Sequence, residues 1–344
     1  MSEGQQGDGV LVFGAGAIGG YVGASLAAAG VPVALVGRRW LLHAARGGIR
    51  LTDFAGRDAE VASQDLALLE RPPPALPRVV LLTVKSKDTR AAAETLAPAL
   101  PKDGVVVSLQ NGVGNPETLR AVLGAERVAA GMVPFNVVLT ETKGGGLRFH
   151  RGTSGELAVE PHPALAVLYD AFRDAGLPLE LHEEFAPVAW GKLFLNLNNA
   201  VNALDGRPLA RQLRDRASRR VLAAMQRELL AALAAAGIAP VTFTPVPLKH
   251  VPRLLSLPTP LFTRVAKRMI TIDPEARSSM ADDLARGRKT EVDALQGAVV
   301  RLADAHGTRA PVCAAVAARV AQAEAAGAGS PRLEGRELAR RVLG

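Results

Sequence analysis

A chain of 344 residues exceeds the usual span of one domain, so two packed units are expected. With 48% hydrophobic and 22% charged residues it is neither disordered nor fibrous, and 4% aromatics argue against the stacked-ring platforms that hold single-stranded nucleic acid. The formal charge of +8 rests on 41 basic side chains, eight of them lysine, and the arginines are spread along the chain, which describes a basic surface that attracts small anions and not a nucleic-acid-binding arm.

Met1 to Asp8 is polar and acidic, unlike a signal peptide, and reads as a frayed tail. Val10-Leu11-Val12-Phe13 is a buried-type strand that stops at Gly14, Ile18 to Ala29 has helical composition, and Val33-Ala34-Leu35-Val36 is a second strand. The 28 residues from Val10 to Gly37 carry no charge, yet they include seven glycines and Pro32, which suits a βαβ unit and not a membrane span. Two more apolar strands, Val79 to Val84 and Val105 to Leu109, alternate with a helical segment from Thr89 to Leu100, the pattern of a parallel sheet covered on both faces. Leu147-Arg148-Phe149-His150, flanked by glycines and followed by Glu156 to Val159, reads as a hairpin-like β addition.

From about Phe185 the texture becomes Ala- and Leu-rich, with helices expected at Trp190–Leu204, Arg216–Ala236, Ser278–His306 and Val312–Ala326 and a proline-rich connection between Pro240 and Pro260. The expected organisation is an α/β domain over residues 1–183 and an all-helical domain over residues 184–344. Cys313, the only cysteine, excludes an internal disulfide or a Cys-rich zinc site and fits a reducing cytoplasm. The six histidines lack metal-ligand spacing, and no GxSxG, HExxH or Walker A pattern occurs.

Gly14-Ala15-Gly16-Ala17-Ile18-Gly19 is a GxGxxG placed between a strand and a helix. There the first glycine permits a tight turn, the second admits a pyrophosphate, the third lets helix and strand pack, and the helix N-terminus faces the anion. After the second strand an NAD enzyme usually carries an acid for the ribose 2′-hydroxyl, but this chain has Gly37-Arg38-Arg39, which favours a 2′-phosphate and hence NADPH. Lys85 in Thr83-Val84-Lys85-Ser86 and Asn111 in Gln110-Asn111-Gly112-Val113-Gly114 follow strands, where such sheets bind ligands, although Asn-Gly is equally a turn signal.

In the helical half Lys192 sits among bulky apolar residues, with Asn196 one turn on and Asn199 within roughly 20° of the same direction. A partly desolvated ammonium there would have a lowered pKa and could donate a proton near neutrality; the alternative is a lysine that snorkels to solvent. Ser279, Asp283, Gly287 and Glu291 recur at steps of four, a row along one side of a continuous helix, with Gly287 expected to mark close approach of another element.

GAGAIG, TVKS, QNGVG, the Trp190-x-Lys192-Leu193 helix with its asparagines and the segment from Ser278-Ser279-Met280 to Thr290-Glu291 together resemble the ketopantoate reductase family, in order and in spacing from residue 10 to about 320. The resemblance implies an α/β Rossmann-type N-terminal domain with a predominantly parallel sheet and an all-α C-terminal domain of 6-phosphogluconate-dehydrogenase-like type. It implies NADPH-dependent reduction of 2-dehydropantoate to (R)-pantoate in pantothenate and coenzyme A biosynthesis, with a small 2-oxo acid as partner, no nucleic acid or membrane, a cytoplasmic location and a homodimer as a compatible assembly. Lys192 then matches the proton donor and Glu291 the acid that organises the site and also touches the cofactor. Asn111 matches the residue at the cofactor and substrate junction, Asn196 and Ser279 substrate-binding residues, and Arg38 and Lys85 the holders of the ribose phosphate. Departures are Ala200 where the family carries its second asparagine, with Asn199 or Asn202 as substitutes after a helix distortion, Cys313 where Asn is common, and a long segment from Pro240 to Ile272. The alternatives are a reductase of another 2-oxo acid, a 3-hydroxyacid dehydrogenase, against which the Ser278 to Glu291 segment argues, and a silent NADPH-binding protein.

Overall fold

The computed structural model describes residues 9–266 and 276–344; the tail from Met1 to Asp8 and the end of the 240–272 segment lie outside them. The chain divides after Phe185 into two compact units.

Among its described residues the first unit contains twelve strands, β1 (Val10–Phe13), β2 (Val33–Val36), β3 (Ile49–Asp53), β4 (Asp58–Val61), β5 (Leu66–Leu69), β6 (Val79–Leu82), β7 (Val105–Ser108), β8 (Val128–Met132), β9 (Val137–Glu141), β10 (Leu147–Arg151), β11 (Leu157–Val159) and β12 (Leu179–Leu181). Its helices are α1 (Ala17–Ala28), α2 (Arg39–Ala45), α3 (Thr89–Leu96), α4 (Asn115–Leu123), α5 (Pro163–Ala166) and α6 (Tyr169–Asp174). An eight-stranded sheet has the order β12-β11-β8-β7-β6-β1-β2-β5 and is parallel except where β11 meets β8. Because successive strand residues face opposite sides, Val10, Val12, Leu81 and Val107 join one core while Leu11, Val80, Leu82 and Val106 join another with Leu96 of α3 and Leu119 of α4. The sheet is thus buried on both faces, which explains its uninterrupted Val/Leu runs.

A second sheet, β4-β3-β10-β9, packs against α1, which is enclosed between the two sheets. This explains the absence of charge from Val10 to Gly37: every residue of α1 from Gly19 to Leu26 is buried, so it is apolar all round. Its glycines permit the enclosure, since a Cβ on Gly20 would collide with the Phe149 ring and one on Gly23 would lie 2.5 Å from Leu35 Cδ2. Among the described residues no helix is long and apolar enough to cross a membrane. The hairpin expectation needs correction: β10 pairs antiparallel with the preceding β9 and parallel with β3, while β11 belongs to the main sheet.

The second unit, in which no strand occurs among the described residues, contains α7 (Ala186–Asn196), α8 (Asn198–Asp205), α9 (Leu209–Gln212), α10 (Arg216–Ala235), α11 (Val251–Leu255), α12 (Thr259–Ala266), α13 (Ser279–Ala285), α14 (Ala298–Ala305), α15 (Pro311–Ala326) and α16 (Gly335–Leu343). The long α10 packs against α11, α14, α15 and α16. Arg219 of α10 is fully buried, and its guanidinium donates to the carbonyls of Leu213, Leu255 and Leu257 and faces the Phe262 ring, pinning the 255–262 segment to α10.

The expected helix from Ser278 to His306 is broken. α13 ends at Ala285, and two residues on Gly287 has φ +60° and a Cβ position that meets nothing within 4 Å. Gly287 is therefore a left-handed cap, closed by Arg288 N–H donating to Asp283 O at 2.8 Å, and no element approaches it closely. The row from Ser279 to Glu291 consequently does not run along one helix; the chain resumes as a π-helical turn at Asp293–Gly297 that leads into α14.

Candidate functional site

In the first unit the GxGxxG glycines do separate work. Gly14 has φ +109° and sits against Val84, 2.6 Å from its nitrogen by the position of a Cβ, so only glycine fits the turn after β1. A Cβ on Gly19 would strike Thr83 Oγ1 and approach Val12, which makes this glycine a condition of α1 lying on β1. Gly16 differs: it is exposed, and its Cβ position meets nothing nearer than Gly14 O at 3.8 Å. It is also the N-cap of α1 without a side-chain cap, so the first turn, through Ala17 and Ile18, presents bare N–H groups beside open space. A pyrophosphate fits that cradle by charge and by room. Ala15, buried, has its N–H held by Val36 O at 2.8 Å, which fixes the loop to the end of β2.

The two arginines after β2 divide. Arg39 forms a two-point pair with Glu70, at 3.0 and 3.1 Å, and holds that carboxyl below its usual range through the hydrogen bond. Arg38 is exposed at the N-cap of α2, and its guanidinium makes no hydrogen bond or ion pair among the described residues. Arg38 is thus the guanidinium open to a 2′-phosphate.

Thr83 Oγ1 donates to Gly14 O at 2.8 Å and ties the Thr83–Ser86 loop to the glycine turn. Lys85 is half-buried in that loop. A polar network that the sequence reading missed joins it to Asn111: Ser86 Oγ donates to Asn111 O, Asn115 Nδ2 donates to Ser86 Oγ and Asn111 O, Thr89 Oγ1 donates to Asn115 Oδ1, and Gln110 Nε2 donates to Thr89 Oγ1 and Val84 O. Gln110, Asn115 and Thr89 are buried, and fully bonded networks of this kind rigidify what they hold. Gly112 has φ +87°, so the turn reading of Asn111-Gly112 holds as well. The signal was present as polar residues flanking an all-apolar strand. The unit therefore brings together Gly14 to Gly19, Lys85 and Asn111 at the carboxyl ends of β1, β6 and β7, beside the point where strand order reverses, and sets Arg38 after β2.

In the second unit Lys192, Asn196 and Asn199 are half-buried, while Val188, Gly191, Leu193, Phe194, Leu197 and Ala200 are buried. Desolvation lowers the Lys192 ammonium from 10.5 to about 8. The stripe crosses a helix break at Leu197, where α7 gives way to α8. Two fully enclosed glutamines hold the break: Gln226 Nε2 donates to Phe194 O at 3.3 Å and Gln296 Nε2 to Leu197 O at 3.1 Å. Gln296 lies in the π-helical turn that follows Glu291, so it links the Glu291 segment to the Lys192 helix. Gly191 allows another approach, because a Cβ there would collide with Val241 O, and Val241 N–H donates to Pro187 O at 2.9 Å. The beginning of the long 240–272 segment is thus laid against α7 beside Lys192.

The neighbouring asparagines sort by their partners. Asn198 exchanges two amide hydrogen bonds with buried Gln212. Asn202, fully buried, donates to Arg207 O and accepts from Ser278 N–H, so it is structural and does not substitute at the position of Ala200. Asn196 and Asn199 make no side-chain hydrogen bond among the described residues. Ser278 caps α13 and donates to Asn199 O, which leaves exposed Ser279 at the start of that helix next to α8. Glu291 is half-buried; the preceding Thr290 is locked by Glu324 through its N–H and hydroxyl at 2.7 and 2.6 Å. Burial alone would raise the Glu324 carboxyl, but the Thr290 and Lys289 hydrogen bonds hold it below its usual range. Cys313 is buried, and burial followed by the nearby Glu228 pushes its thiol far up, so it acts as an inert core residue. Among the described residues no group of three or more His, Cys, Asp or Glu side chains is placed to hold a metal ion.

This arrangement offers an anion cradle in one unit and, in the other, a desolvated ammonium on a helix that also carries amides. Comparisons with known proteins give the family. Residues 10–164 match the family model "Ketopantoate reductase PanE/ApbA" and residues 184–324 match "Ketopantoate reductase PanE/ApbA C terminal". A 2-dehydropantoate 2-reductase of Archaeoglobus fulgidus is 28% identical over 316 residues, 87% of this chain and 92% of its own. The crystal structure of a PanE/ApbA family ketopantoate reductase from Ralstonia eutropha JMP134 is 34% identical, with a TM-score of 0.76 over 92% of this chain and 99% of its own. At 19% identity, a ternary structure of D-mandelate dehydrogenase with NADH and anilino(oxo)acetate shares the fold, with a TM-score of 0.74 over 92% of this chain and 99% of its own.

Proposed function

The chain belongs to the ketopantoate reductase family, pyridine-nucleotide-dependent oxidoreductases acting on CH–OH groups, and from that premise we propose that it reduces ketopantoate to (R)-pantoate with NADPH, a step towards pantothenate and coenzyme A. The observation that carries this reading is Lys192, an ammonium lowered to about 8 by burial on a helix that also carries Asn196 and Asn199.

When bound, the reduced nicotinamide supplies a hydride to C2 of the keto acid. The chain's own residues do the rest. The N–H groups at the start of α1 and the open face of Gly16 hold the pyrophosphate; Arg38, with Lys85, holds the 2′-phosphate. Asn111, fixed by its buried network, orients the reacting groups through its amide. Negative charge develops on the former carbonyl oxygen, and Lys192 stabilises it and delivers the proton from Nζ. The substrate carboxylate is held by the Ser279 hydroxyl and the amides of Asn196 and Asn199. Glu291 helps to organise the lysine and the cofactor.

A second reading keeps the chemistry and changes the acid. It is favoured by the 240–266 segment, which packs at Gly191 beside Lys192, and by the D-mandelate dehydrogenase of the same fold, described with a 2-oxo acid analogue and NADH. The test is the oxidation of NADPH and of NADH against a panel of 2-oxo acids. Preferred turnover of ketopantoate with NADPH supports the first reading; faster turnover of another acid selects the second.

A further inference from the structure

The helical unit holds a second polar site, independent of the reaction proposed above. Two helix N-termini meet there. Gly335, the first residue of α16, lies so close to α10 that a Cβ on it would come within 2.5 Å of Asp215 Oδ2 and Ser218 Oγ. Asp215 is the N-cap of α10 and Glu334 that of α16, and the Glu334 side chain makes no capping bond, so the first N–H groups of α16 have no side-chain cap. The Ser218 hydroxyl at this junction is fully buried and has no hydrogen-bond partner among the described residues.

A cavity of about 670 Å³ opens at the junction, lined by Arg207, Arg214, Arg216, Arg220 and Arg336. That volume suits a small molecule. Two of these arginines are engaged: Arg207 pairs with Asp205 at 2.6 and 2.7 Å and reaches Asp215 at 3.3 Å, and Arg216 donates to Ser256 O. The guanidinium groups of Arg214, Arg220 and Arg336 make no hydrogen bond or ion pair among the described residues, although the Arg214 carbonyl accepts from Arg219 and Thr259. The lining carboxylates are Asp215, already held by Arg207 and by the Ala217 N–H, and Glu334, so five cationic against two anionic side chains leave a surplus of three positive charges.

We propose that this cavity binds a small molecule carrying two or more phosphoryl groups. Guanidinium forks match phosphoryl oxygens two at a time, and the positive end of α16, which has no side-chain cap, adds to the same field. Among the described residues the lining has no aromatic side chain, so recognition falls on the phosphates and not on a stacked base or a nucleic-acid strand.

The probe is inorganic tripolyphosphate, titrated calorimetrically into the full-length protein at low salt. The double variant Arg214→Ala/Arg336→Ala removes exposed side chains without protein partners, and circular dichroism checks that it folds as the wild type does. Its affinity is expected to fall roughly a hundredfold, about tenfold per guanidinium. Arg38→Ala, which alters the 2′-phosphate end of the nucleotide site, and Arg90→Ala/Arg309→Ala, which removes equal charge elsewhere, are expected to keep the cavity's affinity at the wild-type level. Absence of binding to the wild type, an equal loss in the charge-matched control, or a loss in Arg38→Ala in place of the cavity variant would each overturn the proposal.

Discussion

At the scale of single residues the proposed chemistry centres on Lys192. With its ammonium as the proposed proton donor, the depressed pKa has a sign that can be measured: kcat/KM should be constant at low pH and fall as pH rises through about 8. Lys192→Ala should lower kcat by roughly 10²- to 10⁴-fold, and Lys192→Arg, which stays charged, should lose the alkaline limb. A limb left in place in the arginine variant would assign the titration to another group. The same shift acts on stability with the opposite slope. Between about 8 and 10.5 the unfolded chain binds the proton that the folded chain rejects, so this group's contribution to stability grows with pH across that window. At the cofactor end Arg38→Ala should raise the KM for NADPH by roughly tenfold or more with little change for NADH, while Arg39→Ala, whose guanidinium is held by Glu70, should have the smaller effect. Equal losses with both cofactors would remove Arg38 from the phosphate site. The asparagines show where residue types stop being informative. Asn196, Asn198, Asn199 and Asn202 look alike in sequence, and only their partners, Gln212 for Asn198 and Ser278 for Asn202, separate structural amides from the half-buried Asn196 and Asn199.

Among the elements, α1 sets the sharpest test because its glycines fail for different reasons. Gly19→Ala pushes a methyl into Thr83 and Val12 and should cost about 1–3 kcal/mol or more of stability, read as a lowered Tm. Gly16→Ala meets no neighbour, so Tm should hold while NADPH binding weakens. A Gly16→Ala protein that unfolds would place that glycine in the packing and not in the cradle. The strands β1, β2, β6 and β7 were legible because burial on both faces fills them with Val, Leu and Ala, with only Phe13 and Ser108 besides, each at a strand end. The break of the Ser278–His306 segment was not. The steps of four from Ser279 to Glu291 carry a helical row through Gly287, and the left-handed cap after α13 depends on a backbone turn that such spacing does not encode. The break at Leu197 was hidden for another reason: the donors that satisfy its carbonyls, Gln226 and Gln296, come from far along the chain. The second sheet escaped notice because β3, β4 and β9 are short and half polar, with one side against α1 and the other outward.

Across the whole molecule, division into an α/β unit and a helical unit follows from length and texture, and the family follows from motifs distributed over both. The charge surplus, by contrast, proves to be structured. Arg219 is a buried clip, Arg38 a candidate phosphate ligand, and the arginines around α10 and α16 line one cavity, distinctions that a count of basic residues does not contain. The segment from residue 240 reaches Gly191 through Val241 and Arg219 through Leu255. The most direct measurement is the steady-state loss of nicotinamide absorbance with purified protein, NADPH and ketopantoate, run beside NADH and a panel of 2-oxo acids. Rapid turnover of ketopantoate with a strong preference for NADPH is the predicted result; no turnover of ketopantoate together with fast turnover of another acid, or equal use of NADH, would contradict it.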